Sequence, residues 1–112
     1  MDNASNYTET LEKTVQDLLD RQEELIKIAF TDQLTGLGNR GGFTSSLEEI
    51  WEQGTPVTMA FIDIDNLKHC NDAFGHDEGN RYIMQVSLYL KLYIKVGEAA
   101  FRLGGDEFAV LS

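Results

Sequence analysis

The sequence predicts an α/β (α+β) protein, with one long N-terminal helix ahead of a small sheet and its covering helices. Three observations carry that prediction. Residues 1–30 keep a heptad rhythm, with apolar or neutral side chains at Leu11, Val15, Leu18, Gln22, Leu25 and Ala29. PVTMAFIDI is a continuous apolar run ending in acids, the pattern of a buried strand. AAFRLGGDEFAVLS reads as strand, tight turn, strand, with glycines at the turn.

Taken in order, residues 1–30 form the helix, with Ser5 or Thr8 as candidate caps for its start. Its seam is narrow and carries one polar residue, Gln22, so it predicts a parallel pair of helices rather than a helix lying on its own domain. TDQLTGLGNRGGF is a glycine-rich junction in which Asn39 caps a short helix. That helix shows Phe43, Leu47, Ile50 and Trp51 on one face and stops at Gly54 and Pro56. The strand Pro56–Ile64 is apolar on both faces and predicts a central position, covered on both sides. NLKHCNDAFGHDEGN reads as a polar loop. RYIMQVSLYLKLYIKV then places Ile83, Val86, Leu90 and Ile94 on one helical stripe, and the hairpin closes the order.

Composition excludes several classes. At 112 residues there is room for one domain and an attached element. The net charge of −10 predicts no nucleic-acid partner and no anionic membrane surface, both of which need basic protein. The polar start MDNASNYTET is not a signal peptide, and no apolar run approaches the ~18 residues of a membrane span. The single cysteine, Cys70, forbids an intrachain disulfide and reads as an ordinary thiol. The expected location is cytoplasmic.

The chemistry sits in the acids. A strand–helix–strand crossover returns the chain to the same end of a sheet, so Asp63 and the turn at Asp106 belong to one edge. Two carboxylates ~4 Å apart repel by about 4 kcal/mol at an effective dielectric near 20, which a shared divalent cation relieves. Carboxylate oxygens suit Mg²⁺, which takes its remaining ligands from water and phosphate. Asp63, Asp106 and Glu107 are therefore candidate ligands for a metal–nucleotide site. The amides of Asn66, Leu67 and Lys68, with the Lys68 ammonium, stand just past the strand as phosphate donors. The alternative is that strand ends and turns are acidic because they are solvated.

Four ordered stretches, DQLTGLGNR, DIDNLKHCND, FGHDEGN and RLGGDEF, resemble the GGDEF family of diguanylate cyclases. The resemblance covers residues 31–112, with residues 1–30 as a coiled-coil signalling helix. It implies a nucleotidyl-cyclase, polymerase-palm-like fold in which two domains face each other, each holding one GTP. Each 3′-hydroxyl attacks the other's α-phosphate, giving cyclic di-GMP. It implies Asp63, Asp106 and the Ile64 carbonyl as ligands of Mg²⁺, two ions per GTP, with Mn²⁺ as a substitute. It implies Asp106 as proton acceptor supported by Glu107, and Lys68 as a phosphate-charge stabiliser. Asn66 and Leu67 would meet phosphate, while Asn71, His76 and Asn80 would line the guanine pocket. The expected partners are GTP and a second copy joined through the N-terminal helix.

Departures from the pattern set further expectations. Asn80 stands where the family usually has Asp, and an amide offers guanine one acceptor and one donor instead of two acceptors. Lys95, Val96, Gly97 and Glu98 replace the inhibitory RxxD, and lysine lacks the arginine fork, which predicts weak product inhibition. Gly41 replaces a second arginine after Asn39-Arg40. Family domains continue past the hairpin, with a strand that pairs with the free side of the first, so the stretch reads as a partial domain in which one edge of Pro56–Ile64 is unpaired. That gives the alternative expectation: a catalytically inactive module acting in dimerisation or weak nucleotide binding.

Overall fold

The computed structural model describes residues 3–112. The elements run α1 (Asn3–Phe30), α2 (Arg40–Gln53), β1 (Met59–Asp63), α3 (Leu67–Phe74), α4 (His76–Tyr93), β2 (Ala99–Arg102) and β3 (Glu107–Leu111). The sheet order is β1-β3-β2, with β3 antiparallel to both neighbours.

The central strand is β3. Phe108 and Ala109 are both at 0% exposure, so its two faces are equally covered. Side chains alternate across a strand, and the pairing register places Ile62, Phe108 and Arg102 on one face. That face meets α3 and α4: Phe108 joins Leu37, Ile64, Leu67, Ile83 and Ala100 in the core, and Val86, Leu90 and Ile94 pack against it. The helical stripe read from the sequence is thus the buried face of α4. On the opposite face Phe101 and Phe61 flank Phe43 of α2, with ring centroids 5.4 Å and 6.1 Å away in edge-on geometry. Helices on both faces of the sheet make the mixed α/β fold that the sequence predicts.

Asn39 caps α2: its Oδ1 accepts from the Gly42 amide at 2.9 Å. Gly54 ends the helix in a left-handed conformation, φ 66°, where a Cβ would be strained.

Four local expectations need correction. The strand at Pro56–Ile64 is shorter, Met59–Asp63, and the central place read from its apolar faces is not the one it takes: among the described residues it pairs with β3 alone, which leaves its other edge unpaired, as the partial-domain reading expects. Phe61 is 65% exposed, because β3 pairs with one side of β1 only. The stretch taken as a polar loop is helical: α3 fills it, and α4 begins at His76, before Arg81. Polar residues hid that helix because its buried anchor is the single side chain Leu67. Ser5 and Thr8 lie inside α1 instead of capping it, and the Thr8 hydroxyl donates to the Ala4 carbonyl at 2.9 Å. Trp51, expected on the covered face of α2, is 86% exposed. It borders an open apolar groove with Leu47, Pro56, Val57 and Met59.

Emptying the centre of β3 is the sharpest test of this packing. Phe108→Ala should cost about 3–5 kcal/mol, a typical loss for a buried phenylalanine and enough to unfold a small domain. Urea denaturation followed by circular dichroism measures it.

Candidate active site

The acidic edge is built by register. Asp63, the last residue of β1, stands opposite Glu107, the first of β3. The turn Gly104–Asp106 joins β2 to β3, and the Leu103 amide closes it on the Glu107 carbonyl at 2.8 Å. The Ile64 amide donates to the Asp106 carbonyl at 2.8 Å, which holds the turn to the chain leaving β1. Three carboxylates result, from Asp63, Asp106 and Glu107, with one oxygen of each within 4.8 Å of the others. All three residues are exposed. Hard oxygen donors at this spacing fit a divalent cation that keeps water or phosphate in its other positions.

The other expected site residues fall around this edge. Ile64 is buried directly after Asp63. Asn66 takes a left-handed conformation, φ 62°, and turns the chain into α3. Leu67 and Lys68 are the first two residues of α3, whose leading amides have no partner within the helix. Leu67 is buried, so only its backbone is available to a ligand, whereas the Lys68 side chain is exposed. Asn71 lies one turn further on. Its carboxamide oxygen occupies the space a Cβ on Gly79 would need, so glycine at 79 admits it between α3 and α4. His76 opens α4 and Asn80 follows one turn later, both exposed. The structure brings Asp63, Asp106 and Glu107 together. Lys68, Asn71, His76 and Asn80 sit on the two helices beyond β1.

Glycine has no local reason at 104 and 105. Neither residue has positive φ, and a Cβ at either meets nothing within 4 Å. Their small size leaves the space over the turn backbone open. At Lys95–Glu98 the Glu98 carboxylate accepts from the Lys95 amide at 2.6 Å, so this acid closes its own turn.

Three residues that sequence reading passed over also shape the edge. Arg102 donates from Nη1 to Asp32 Oδ1 at 3.1 Å and from Nη2 to the Gly105 carbonyl at 3.1 Å. Arg40 donates from Nε to the Leu103 carbonyl at 3.3 Å, and its guanidinium lies 3.9 Å from the Glu107 carboxylate. The available signal was a cation, Arg102, ending the otherwise apolar stretch AAF in a strongly acidic chain.

The model described as "Diguanylate cyclase, GGDEF domain" matches residues 29–112. Diguanylate cyclase DgcP of Escherichia coli is 39% identical over 105 residues, covering 90% of this chain and 31% of that protein. Response regulator PleD of Caulobacter vibrioides is 39% identical over 90 residues, covering 77% of this chain and 20% of that protein. The chain thus spans a third or less of the length of these relatives. Among solved structures, the coiled coil and GGDEF domain of DgcB from Caulobacter crescentus, in complex with c-di-GMP, superposes with a TM-score of 0.88 at 31% identity. That match covers 98% of this chain and 60% of the DgcB chain. The acidic hairpin on a palm-like sheet defines the class, and the chain belongs to the GGDEF family of diguanylate cyclases.

The open space above the turn gives a test that separates folding from binding. Gly105→Ala should leave thermal stability unchanged, or raise it slightly by restricting the unfolded chain, while weakening any ligand that approaches the turn backbone. A thermal melt with and without GTP and Mg²⁺ reads both effects.

Proposed function

We propose that this chain carries the catalytic edge of a diguanylate cyclase, which condenses two GTP into cyclic di-GMP and two pyrophosphates in the presence of Mg²⁺ or Mn²⁺. One observation carries the reading: three carboxylates, from the end of β1, the turn and the start of β3, lie within 4.8 Å of one another, with Asp63 four residues before α3 begins.

In this reading Asp63 and Asp106, with the Ile64 carbonyl, hold the metal, and Glu107 supports them. A bound divalent ion supplies Lewis acidity at the phosphate and makes the 3′-hydroxyl a better nucleophile. Asp106 accepts the proton of the 3′-hydroxyl as its oxygen bonds to the α-phosphorus of the GTP on the facing copy. The bond to pyrophosphate breaks, and the second half-reaction repeats the exchange. The Lys68 ammonium and the first amides of α3, at Asn66, Leu67 and Lys68, balance charge on the phosphate oxygens. Asn71 and Asn80 hydrogen-bond the guanine edge, and His76 lines the same pocket. Lys95 and Glu98 replace the arginine and aspartate of an inhibitory motif, and Glu98 is already engaged, which favours weak product inhibition.

Two copies are needed, because each GTP attacks the other. The heptad positions of α1 are unoccupied: Leu11, Val15, Leu18 and Leu25 are 50–60% exposed. That stripe suits a parallel homodimer through α1. Among the described residues no helix is long and apolar enough to cross a membrane, and we place the chain in the cytoplasm with GTP. A second reading is a non-catalytic dimerising module, which the exposed heptad stripe of α1 also suits.

Incubation with GTP and Mg²⁺, with products separated by chromatography and identified by mass, decides between the two. A cyclic di-GMP peak that disappears in Asp106→Ala supports the cyclase. Absence of product from wild-type chain supports the module. Asn80→Asp adds a second acceptor toward guanine and a charge-assisted bond, and should tighten GTP binding by about tenfold. Calorimetric titration measures that change.

A further inference from the structure

We propose that Arg102, braced by Asp32, is a positioning residue that fixes the Asp106 peptide for cation binding. The proposal rests on the reading of Asp63, Asp106 and Glu107 as cation ligands.

The geometry acts on the backbone on either side of Asp106. The Gly105 carbonyl belongs to the peptide unit that contains the Asp106 amide, and that unit is planar. Arg102 Nη2 donates to this carbonyl at 3.1 Å and so sets the plane from one side. The Ile64 amide donates to the Asp106 carbonyl at 2.8 Å and sets the next peptide. Asp106 is therefore clamped on both flanks. Without the first clamp, two glycines precede it with no side chains to pack, and glycine loses more freedom on ordering than any other residue.

The brace is itself held by several hydrogen bonds. Arg102 Nη1 donates to both Asp32 oxygens, at 3.1 and 3.4 Å, and the pair is mostly buried, with side chains 16% and 18% exposed. Asp32 Oδ2 also accepts from the Thr35 amide at 2.9 Å and the Thr35 hydroxyl at 2.7 Å. Thr35 is buried, and its carbonyl accepts from the Lys91 ammonium of α4. The turn is thus fastened through one guanidinium to a closed loop directly after α1. A planar fork can hold a carboxylate with one nitrogen and a carbonyl with the other, whereas a lysine ammonium is a single point charge.

The test uses the full chain and Mn²⁺ alone, titrated by electron paramagnetic resonance, with Arg102→Lys, Arg102→Gln and Asp32→Asn. Each variant should bind Mn²⁺ about tenfold to a hundredfold more weakly, the loss expected when a residue that orients a ligand is removed. Asp32→Asn combined with Arg102→Gln should bind no more weakly than Arg102→Gln, because one brace is lost either way. In the metal-free variants, amide exchange should quicken at Leu103 and Ile64, whose amides close the turn, but not at Phe108 and Ala109. Folded variants that keep the wild-type Mn²⁺ affinity overturn the proposal, as does exchange that quickens evenly along β3. Asp32→Asn is the mildest change, since an amide oxygen still accepts from Thr35. If it too is unfolded by circular dichroism, the pair serves folding and the proposal fails. Failure of the underlying reading looks different: wild-type chain then binds no Mn²⁺, or Asp106→Asn binds it equally well.

Discussion

The pairing register between β1 and β3 is the constraint on which the acidic edge depends. Asp63 lies opposite Glu107, and Phe108 lies opposite Ile62. A slip of one residue would turn Phe108, now fully buried against α3 and α4, toward the face occupied by Phe43. It would also separate Asp63 from Glu107 by a full residue rise. The same hydrophobic burial that fixes the sheet therefore fixes the distances among the carboxylates. The turn adds the third acid at no cost in core volume, because Gly104 and Gly105 occupy open space.

Bringing three carboxylates within 4.8 Å works against folding in a chain of net charge −10. Arg40, 3.9 Å from Glu107, is a weak counterweight, since both side chains are more than half exposed. The stronger ties around the edge go to backbone carbonyls, from Arg102 to Gly105 and from Arg40 to Leu103. They set the shape of the turn without neutralising its acids. Beyond the long, exposed Arg40–Glu107 pair, none of the three carboxylates is engaged by another side chain among the described residues.

Much of this was legible in the sequence, for identifiable reasons. The α4 stripe and the hairpin announce themselves through periodicity and glycine, and a crossover obliges Asp63 and Asp106 to share an edge. The Asn39 cap was readable because an amide before a helix has one strong use. What escaped depended on tertiary context. The α3 helix has one buried anchor, Leu67, so no repeating apolar stripe marks it. The edge position of β1 is not legible in its composition, because an apolar run looks the same whether one or both sides are paired; it follows only from the resemblance, whose domains carry a further strand. The Asp32–Arg102 pair spans seventy positions of sequence, and nothing local in either stretch joins them.

Asn39 and Arg102 bear on how α1 relates to the acidic edge. Asn39 donates its amide to the Phe30 carbonyl at 3.0 Å and its side-chain nitrogen to the Ala29 carbonyl at 2.9 Å. Gly42 lets α2 approach the same end, since a Cβ there would fall 2.6 Å from the Phe30 oxygen. One residue before Asn39, Gly38 accepts from the Arg102 amide at 2.8 Å. The last turn of α1 is therefore tied through Gly38 and Asn39 to the strand that leads into the acidic turn. Two of these ties are backbone bonds and one is a side-chain bond, and together they join the end of α1, the loop and β2. The exposed heptad stripe of α1 and the acidic turn are therefore joined through the Gly38–Asn39 loop, which meets the one at its C-terminal end and the other through Arg102 at the end of β2.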